Sequence, residues 1–152
     1  MTQPDKNAKL PFFVYGTLRT GQYNWEIYLK DRTSREIPAR LPNHILYTTN
    51  IPYISELAEP DENSLVVGNL AFVPDEIYEE VLRNLDDLEE YDPESNSGHY
   101  LRVAREVEYL DEEGAPQRTL AWVYHGGPEA LEHALNTMKE ASRVWSGDWL
   151  KR

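Results

Sequence analysis

The sequence predicts a single α+β domain, dominated by strands and carrying two main helices. Three observations predict it. Apolar runs rich in strand-forming residues lie at Leu10 to Tyr15 and Leu65 to Val73. An alternating segment, Tyr100 to Tyr109, meets a second, Thr119 to Tyr124, across a turn at Asp111 to Gly114. Helical spacing of apolar residues appears at Ile77, Val81, Leu85 and Leu88, and again at Leu131, Ala134, Leu135 and Met138. No repeat, low-complexity tract or linker divides the 152 residues, so residues 1–152 read as one domain long enough to bury a core.

In chain order, residues 1–9 (Met-Thr-Gln-Pro-Asp-Lys-Asn-Ala-Lys) read as a disordered lead-in. The apolar run Leu-Pro-Phe-Phe-Val-Tyr follows as a buried strand, which Gly16 ends. Gly16 lacks a side chain and Thr17 has a hydroxyl, and consecutive amide N–H groups in such a loop can cradle an oxyanion or carboxylate. By itself, a strand followed by Gly-Thr is also an ordinary turn. Tyr23 to Leu29 reads as a short helix carrying Trp25, Ile27 and Leu29. Arg32 to Leu41 is mixed and broken by Pro38. His44 to Tyr47 and Tyr53 to Leu57 read as short strands about Pro52. Gly68, within the second strong strand, marks a bulge or a close backbone contact. Asp92 to His99 is polar and turn-rich and predicts a mobile loop. Pro128 to Ala141 reads as the last helix, followed by a tail with Trp145 and Trp149.

The helix near residue 80 carries the chemistry. Pro74 and Asp75 are start signals. On a wheel stepping about 100° per residue, Ile77, Tyr78, Val81, Leu82, Leu85 and Leu88 fill an arc of roughly 140°. Glu79, Glu80, Asp86, Asp87 and Glu90 fall outside it, whereas Glu89 falls inside, between Tyr78 and Leu82. Burying an unpaired carboxylate is costly. Two readings stay open on this geometry. Glu89 reaches water, a backbone donor or an arginine such as Arg102 at the helix end, or it is a general base whose proton affinity is raised by desolvation.

Composition narrows the function classes. The net charge of −12 argues against nucleic acid and anionic membranes as partners. No apolar run approaches the ~18–20 residues of a membrane span, and the N-terminus lacks a signal-peptide core, so the expected location is cytoplasmic. Zero cysteines removes disulfides, thiolate nucleophiles and Cys-ligated zinc. His44, His99, His125 and His133 are scattered without i, i+4 spacing, so no metal and no cofactor are expected. There is no Gly-x-Ser-x-Gly elbow, P-loop or Gly-x-Gly-x-x-Gly fingerprint. One carboxylate beside a loop of backbone donors remains, pointing to proton transfer.

Phe-Val-Tyr-Gly-Thr-Leu-Arg at residues 13–19, with Leu-Asp-Asp-Leu-Glu at 85–89 and Tyr100-Leu-Arg102-Val, resembles the γ-glutamylcyclotransferase-like superfamily. The likeness spans roughly Leu10 to Tyr124 and is nearest to the short Tyr-Gly-Thr-Leu members, the γ-glutamylamine cyclotransferase-like or AIG2-like proteins. The resemblance implies a small mixed β-barrel with flanking helices. It implies that Tyr15, Gly16, Thr17 and Leu18 bind substrate, that Tyr100 lines the same pocket, and that Glu89 is the catalytic base. The reaction it implies is cyclisation of a γ-glutamyl group to pyroglutamate (5-oxoproline) with release of an amine or amino acid. Many relatives have Gly after the catalytic Glu, where this chain has Glu90, Tyr91 and Asp92. A second acid beside the base would favour γ-glutamylamines over γ-glutamyl-amino acids. Arg102 and Arg19 are candidates for offsetting the negative field. The alternative to an enzyme is a small-molecule-binding or interaction module on the same fold. Trp25, Trp145 and Trp149 read either as an oligomer interface or as a tail packed over the barrel, with a monomer or weak homodimer expected.

Overall fold

The computed structural model describes residues 3–48, 51–59, 61, 63–127, 132 and 142–152. In chain order its elements begin with strand β1 (Phe12–Val14), helix α1 (Tyr23–Tyr28) and strands β2 (Arg35–Pro42), β3 (His44–Thr48), β4 (Pro52–Glu56) and β5 (Leu65–Phe72). Helix α2 (Asp75–Leu88) follows, then β6 (Tyr91–Asp92), β7 (Ser97–Gly98), β8 (Tyr100–Leu110), β9 (Pro116–Gly126), β10 (Ser142–Arg143) and a 3-10 turn at Trp149–Lys151. Five strands close into a barrel in the order β1-β5-β2-β8-β9, the small mixed barrel with flanking helices that the family resemblance implied. All of its pairs are antiparallel except β1 with β9, where Phe12 and Phe13 lie opposite Trp122 and Val123. A second sheet, β10-β3-β4, and the hairpin β6-β7 complete the strands. No helix among the described residues is long and apolar enough to cross a membrane.

The unbroken apolar run in β1 exists because both of its faces are covered. Phe12 and Val14 join a cluster with Tyr78, Val81, Leu82 and Leu85 of α2 and with Trp122. Phe13 and Tyr15 join another with Leu41, Leu46, Ile54, Leu70 and Val123. Gly68 is the predicted close contact: a Cβ there would lie 2.3 Å from the Val14 carbonyl oxygen. Helix α2 starts behind Pro74, with Asp75 and Glu76 in its first turn, and stops at Leu88. Glu89 is its C-cap, and Glu90 at φ +52° turns the chain out of the helix.

Several expectations change. The mixed stretch before Leu41 is a full strand, β2, despite Pro38. Pro38 stands opposite Asn69 in the β2–β5 ladder, and β8 registers on β2 two residues further on, at Arg40 opposite Glu108. The predicted loop from Asp92 to His99 is a hairpin, tied by Asp92 to the Glu94 amide (3.0 Å) and Ser95 hydroxyl (2.9 Å) and by Tyr91 to Asn96 (2.8 Å). The supposed lead-in is docked. Gln3 pairs through both side-chain ends with the Ala104 backbone, and the Ala8 carbonyl accepts the Trp122 indole N–H at 2.9 Å.

In the first half of β8 Arg102 goes inward: Tyr100, Arg102 and Ala104 are buried while Leu101 and Val103 are half-buried, whereas further on Glu106 is exposed and Val107 buried. Asp86, placed outside the apolar arc by the wheel, is buried opposite Arg102 and explains the inversion. Of the tail tryptophans, Trp149 packs into the second cluster, but Trp145 is 79% exposed, with the Arg143 guanidinium 4.0 Å from its ring centre. The helix expected from Pro128 to Ala141 lies, apart from Glu132, outside the described residues.

Candidate active site

The C-terminal end of α2 meets the loop after β1, and a cavity of about 270 Å³ opens between them. Tyr15, Gly16, Thr17, Leu18, Glu89 and Tyr100 all line it. Helix α1 buttresses the loop. Asn24 donates to the Thr17 hydroxyl at 2.7 Å, and the Trp25 amide donates to the Thr17 carbonyl at 3.0 Å. The carbonyl of Gly16 takes the Arg19 amide at 3.1 Å. Among the described residues the amides of Gly16, Thr17 and Leu18 donate to no protein acceptor. Three consecutive free N–H groups on the wall of a cavity suit a carboxylate or a developing oxyanion. The opposite wall presses close, since a Cβ on Gly16 would lie 2.6 Å from Pro52 Cγ. Glycine is required there by space.

The tyrosines form walls rather than free donors. Tyr15 gives its hydroxyl proton to the Tyr124 carbonyl at 2.6 Å, and Tyr100 gives its own to the Pro52 carbonyl at 2.6 Å. Burial, with Glu89 adding, holds both phenols well above their ordinary range, so they stay protonated. Glu89 is placed by its helix end. Its amide reaches the Leu85 carbonyl at 2.9 Å and its carbonyl accepts the Tyr100 amide at 3.3 Å, tying α2 to the start of β8. Its carboxylate is partly buried and hydrogen-bonds to no side chain or amide among the described residues. Burial therefore acts unopposed and pushes the carboxyl up to about 7. Such a group changes hands with a proton near neutral pH.

The two arginines do not reach this cavity. Arg102 is fully buried behind it, its Nε and Nη2 on the two Asp86 carboxylate oxygens at 2.8 and 3.1 Å, its guanidinium 4.4 Å from the Trp122 ring centre. A buried pair of this kind loses about 3–5 kcal/mol when one partner is removed, so the role of Arg102 is to hold Asp86. Asp86 in turn accepts the Tyr124 hydroxyl at 2.7 Å, and Tyr124 lines the cavity. Arg19 binds Asp148 at 2.6 Å and Asn69 at 3.2 Å, fastening the C-terminal tail. No Lys or Arg lines the cavity among the described residues, and Glu90 lines it together with Glu89.

Pro52 and His99 also line the cavity, and sequence reasoning missed Asn24 and Tyr124 as lining residues. Only Tyr124 left a signal, lying two residues from Trp122 on one face of its strand.

Compared with known families, the sequence matches the one described as gamma-glutamyl cyclotransferase, AIG2-like, over residues 12–151. The chain belongs to this family. The crystal structure of a mouse AIG2-like protein is 27% identical, with 80% of this chain and 82% of that one covered at a TM-score of 0.57. YkqA of Bacillus subtilis shares the fold at 19% identity and a TM-score of 0.60, covering 93% of this chain and 40% of that one. A yeast gamma-glutamyl cyclotransferase specific to glutathione shares it at 13% identity and 0.54, covering 77% and 68%. No curated protein matches the sequence. This AIG2-like chain thus presents its loop of free amides and its high-pKa carboxylate in one cavity on the family's barrel.

Proposed function

We infer that the protein is a γ-glutamyl cyclotransferase, closing the γ-glutamyl group of a small substrate to pyroglutamate and releasing an amine. The observation that carries this is Glu89, a carboxyl pushed up to about 7, free of hydrogen bonds among the described residues and facing the same cavity as three unclaimed amides. The amides of Gly16, Thr17 and Leu18 take the substrate's α-carboxylate or the oxyanion of the tetrahedral intermediate. Glu89, ionised, removes a proton from the α-ammonium, and the freed amine attacks its own side-chain carbonyl. Nucleophile and electrophile belong to one molecule, so the cavity's task is to hold the folded-back conformer. Tyr15 and Tyr100, their hydroxyls already committed, shape the walls.

The leaving group follows from charge. With Glu90 on the lining and no cation there among the described residues, an amine without a carboxylate departs more readily than an amino acid. The experiment incubates the purified protein, beside Glu89→Gln, with a panel of γ-glutamylamines and γ-glutamyl-amino acids and detects pyroglutamate by mass spectrometry. Wild type is expected to form pyroglutamate, fastest from the amines, with the variant slower by about 10²–10⁴-fold. Equal turnover by Glu89→Gln would remove the base, and equal rates on both substrate types would remove the preference. Silence across the panel would favour a binding module on the same barrel.

A further inference from the structure

Cyclisation has a proton balance that one carboxylate serves awkwardly. The α-ammonium enters with three N–H protons and the lactam nitrogen keeps one, while the departing nitrogen gains two on its way to an ammonium. Two protons must cross, and Glu89 carries one at a time.

A second side chain able to carry a proton, the His99 imidazole, lines the same cavity as Glu89. The β6-β7 hairpin extends past its strands through the His99 amide on the Glu90 carbonyl (3.1 Å) and the Tyr100 amide on the Glu89 carbonyl (3.3 Å). Residues 89–90 and 99–100 are therefore ladder neighbours, and His99 lines the cavity with Glu89. Its backbone is clamped from behind, the Gly127 amide donating to the His99 carbonyl at 2.8 Å. Its imidazole is held on two sides, edge-on to Tyr100 with ring centres 5.1 Å apart and tilted against Tyr53 at 5.6 Å. The Tyr53 hydroxyl lies 2.9 Å from His99 Nε2, and Nδ1 has no partner among the described residues. A phenolic hydroxyl can give or accept a hydrogen bond, so Tyr53 fixes Nε2 and leaves Nδ1 to exchange protons.

We propose that His99 is a second proton carrier, working at Nδ1 between the attacking and departing nitrogens of the cyclotransferase reaction, on which this proposal rests. Glu89 takes the first proton and the new C–N bond forms. Neutral His99, its Nε2–H on the Tyr53 oxygen, accepts the second proton from the ring nitrogen at Nδ1. It delivers that proton to the departing nitrogen as the old C–N bond breaks. Glu89 then passes the first proton to the freed amine, which leaves as an ammonium. Both residues end as they began.

The test uses leaving groups that differ in their need for a proton. An alkylamine cannot depart as an anion, whereas 4-nitroaniline departs with little help. His99→Gln and Tyr53→Phe are compared with wild type on a γ-glutamyl-alkylamine and on γ-glutamyl-4-nitroanilide. For His99→Gln, kcat on the alkylamide is expected to fall about a hundredfold and kcat on the nitroanilide, which still needs the ring nitrogen deprotonated but little help in departing, only about tenfold, with KM little changed on either. Tyr53→Phe is expected to show the same selectivity more weakly. Equal losses on both substrates would mark His99 as a packing residue, and no loss on either would remove it from the reaction. Each overturns the proposal while leaving the cyclotransferase reading intact. A wild type that forms pyroglutamate from neither substrate fails that reading itself and takes this proposal with it.

Discussion

Glu89 shows how one residue couples stability to chemistry. An unfolded carboxyl ionises near 4.5, and burial in this fold moves the value to about 7. Between these values the native state holds a proton that the unfolded state has lost, so stability falls as pH rises through the window. The stabilising term is complete below the unfolded value and lost above the folded one, and it amounts to roughly 3 kcal/mol. Glu89→Gln is therefore expected to melt with wild type at pH 4 and several degrees above it at pH 8. Matching melting temperatures at pH 8 would mean that Glu89 ionises without penalty. In the proposed reaction the same titration would set the acid limb of activity, since a base must be ionised to work. Arg102 teaches a related lesson. Its charge argued for a role at the substrate, yet its full burial against Asp86 makes it a structural partner, and only the pairing across two elements reveals this.

At the scale of elements, the loop from Tyr15 to Leu18 is fixed by its neighbours more than by its own residues. Gly16 rests against Pro52, whose carbonyl holds Tyr100. Gly16→Ala places a methyl group where the proline ring already sits, displacing either the amides or the Tyr100 wall. A shift of this size is expected to lower kcat/KM by about a hundredfold with far-UV circular dichroism unchanged. Wild-type kcat/KM would show that the loop has slack.

The sequence displayed much of this architecture. Apolar continuity marked β1 and β5, alternation marked the β8-β9 hairpin, and helical spacing brought Glu89 forward. It could not display Asp86, just beyond the apolar arc, because the partner that makes its burial tolerable lies on another element. Nor could it display the hairpin at Asp92, whose order comes from polar side chains bonding to their own turn. His99 gave no signal alone, because its place in the cavity depends on that hairpin's register.

For the whole molecule, both ends of the described chain act as closures of the barrel. The N-terminal segment completes hydrogen bonds for Ala104 and Trp122, and Lys6 reaches the Arg102 carbonyl at 2.9 Å. Deleting residues 1–9 leaves the buried Trp122 indole N–H without its acceptor. The loss is expected to be roughly 1–3 kcal/mol, read as a lower urea midpoint. An unchanged midpoint would make the segment a passenger. At the other end Gly147, at φ +72°, brings the tail so near β5 that a Cβ would lie 2.1 Å from the Leu65 carbonyl oxygen. Asp148 then reaches Arg19 just beyond the loop after β1.

The position of Glu89 as the last cap of α2 has an electrostatic consequence. Peptide dipoles along a helix leave partial negative charge at its C-terminal end, where cations are favoured. The last turn of α2 has no basic residue and instead carries Asp87 and Glu89 close to that end. The helix thus aims its unfavourable pole at the cavity and leaves it uncompensated. The α-ammonium of the proposed substrate, arriving there, would neutralise both the pole and the carboxylate, so that ligand itself would supply the counter-charge that the helix lacks.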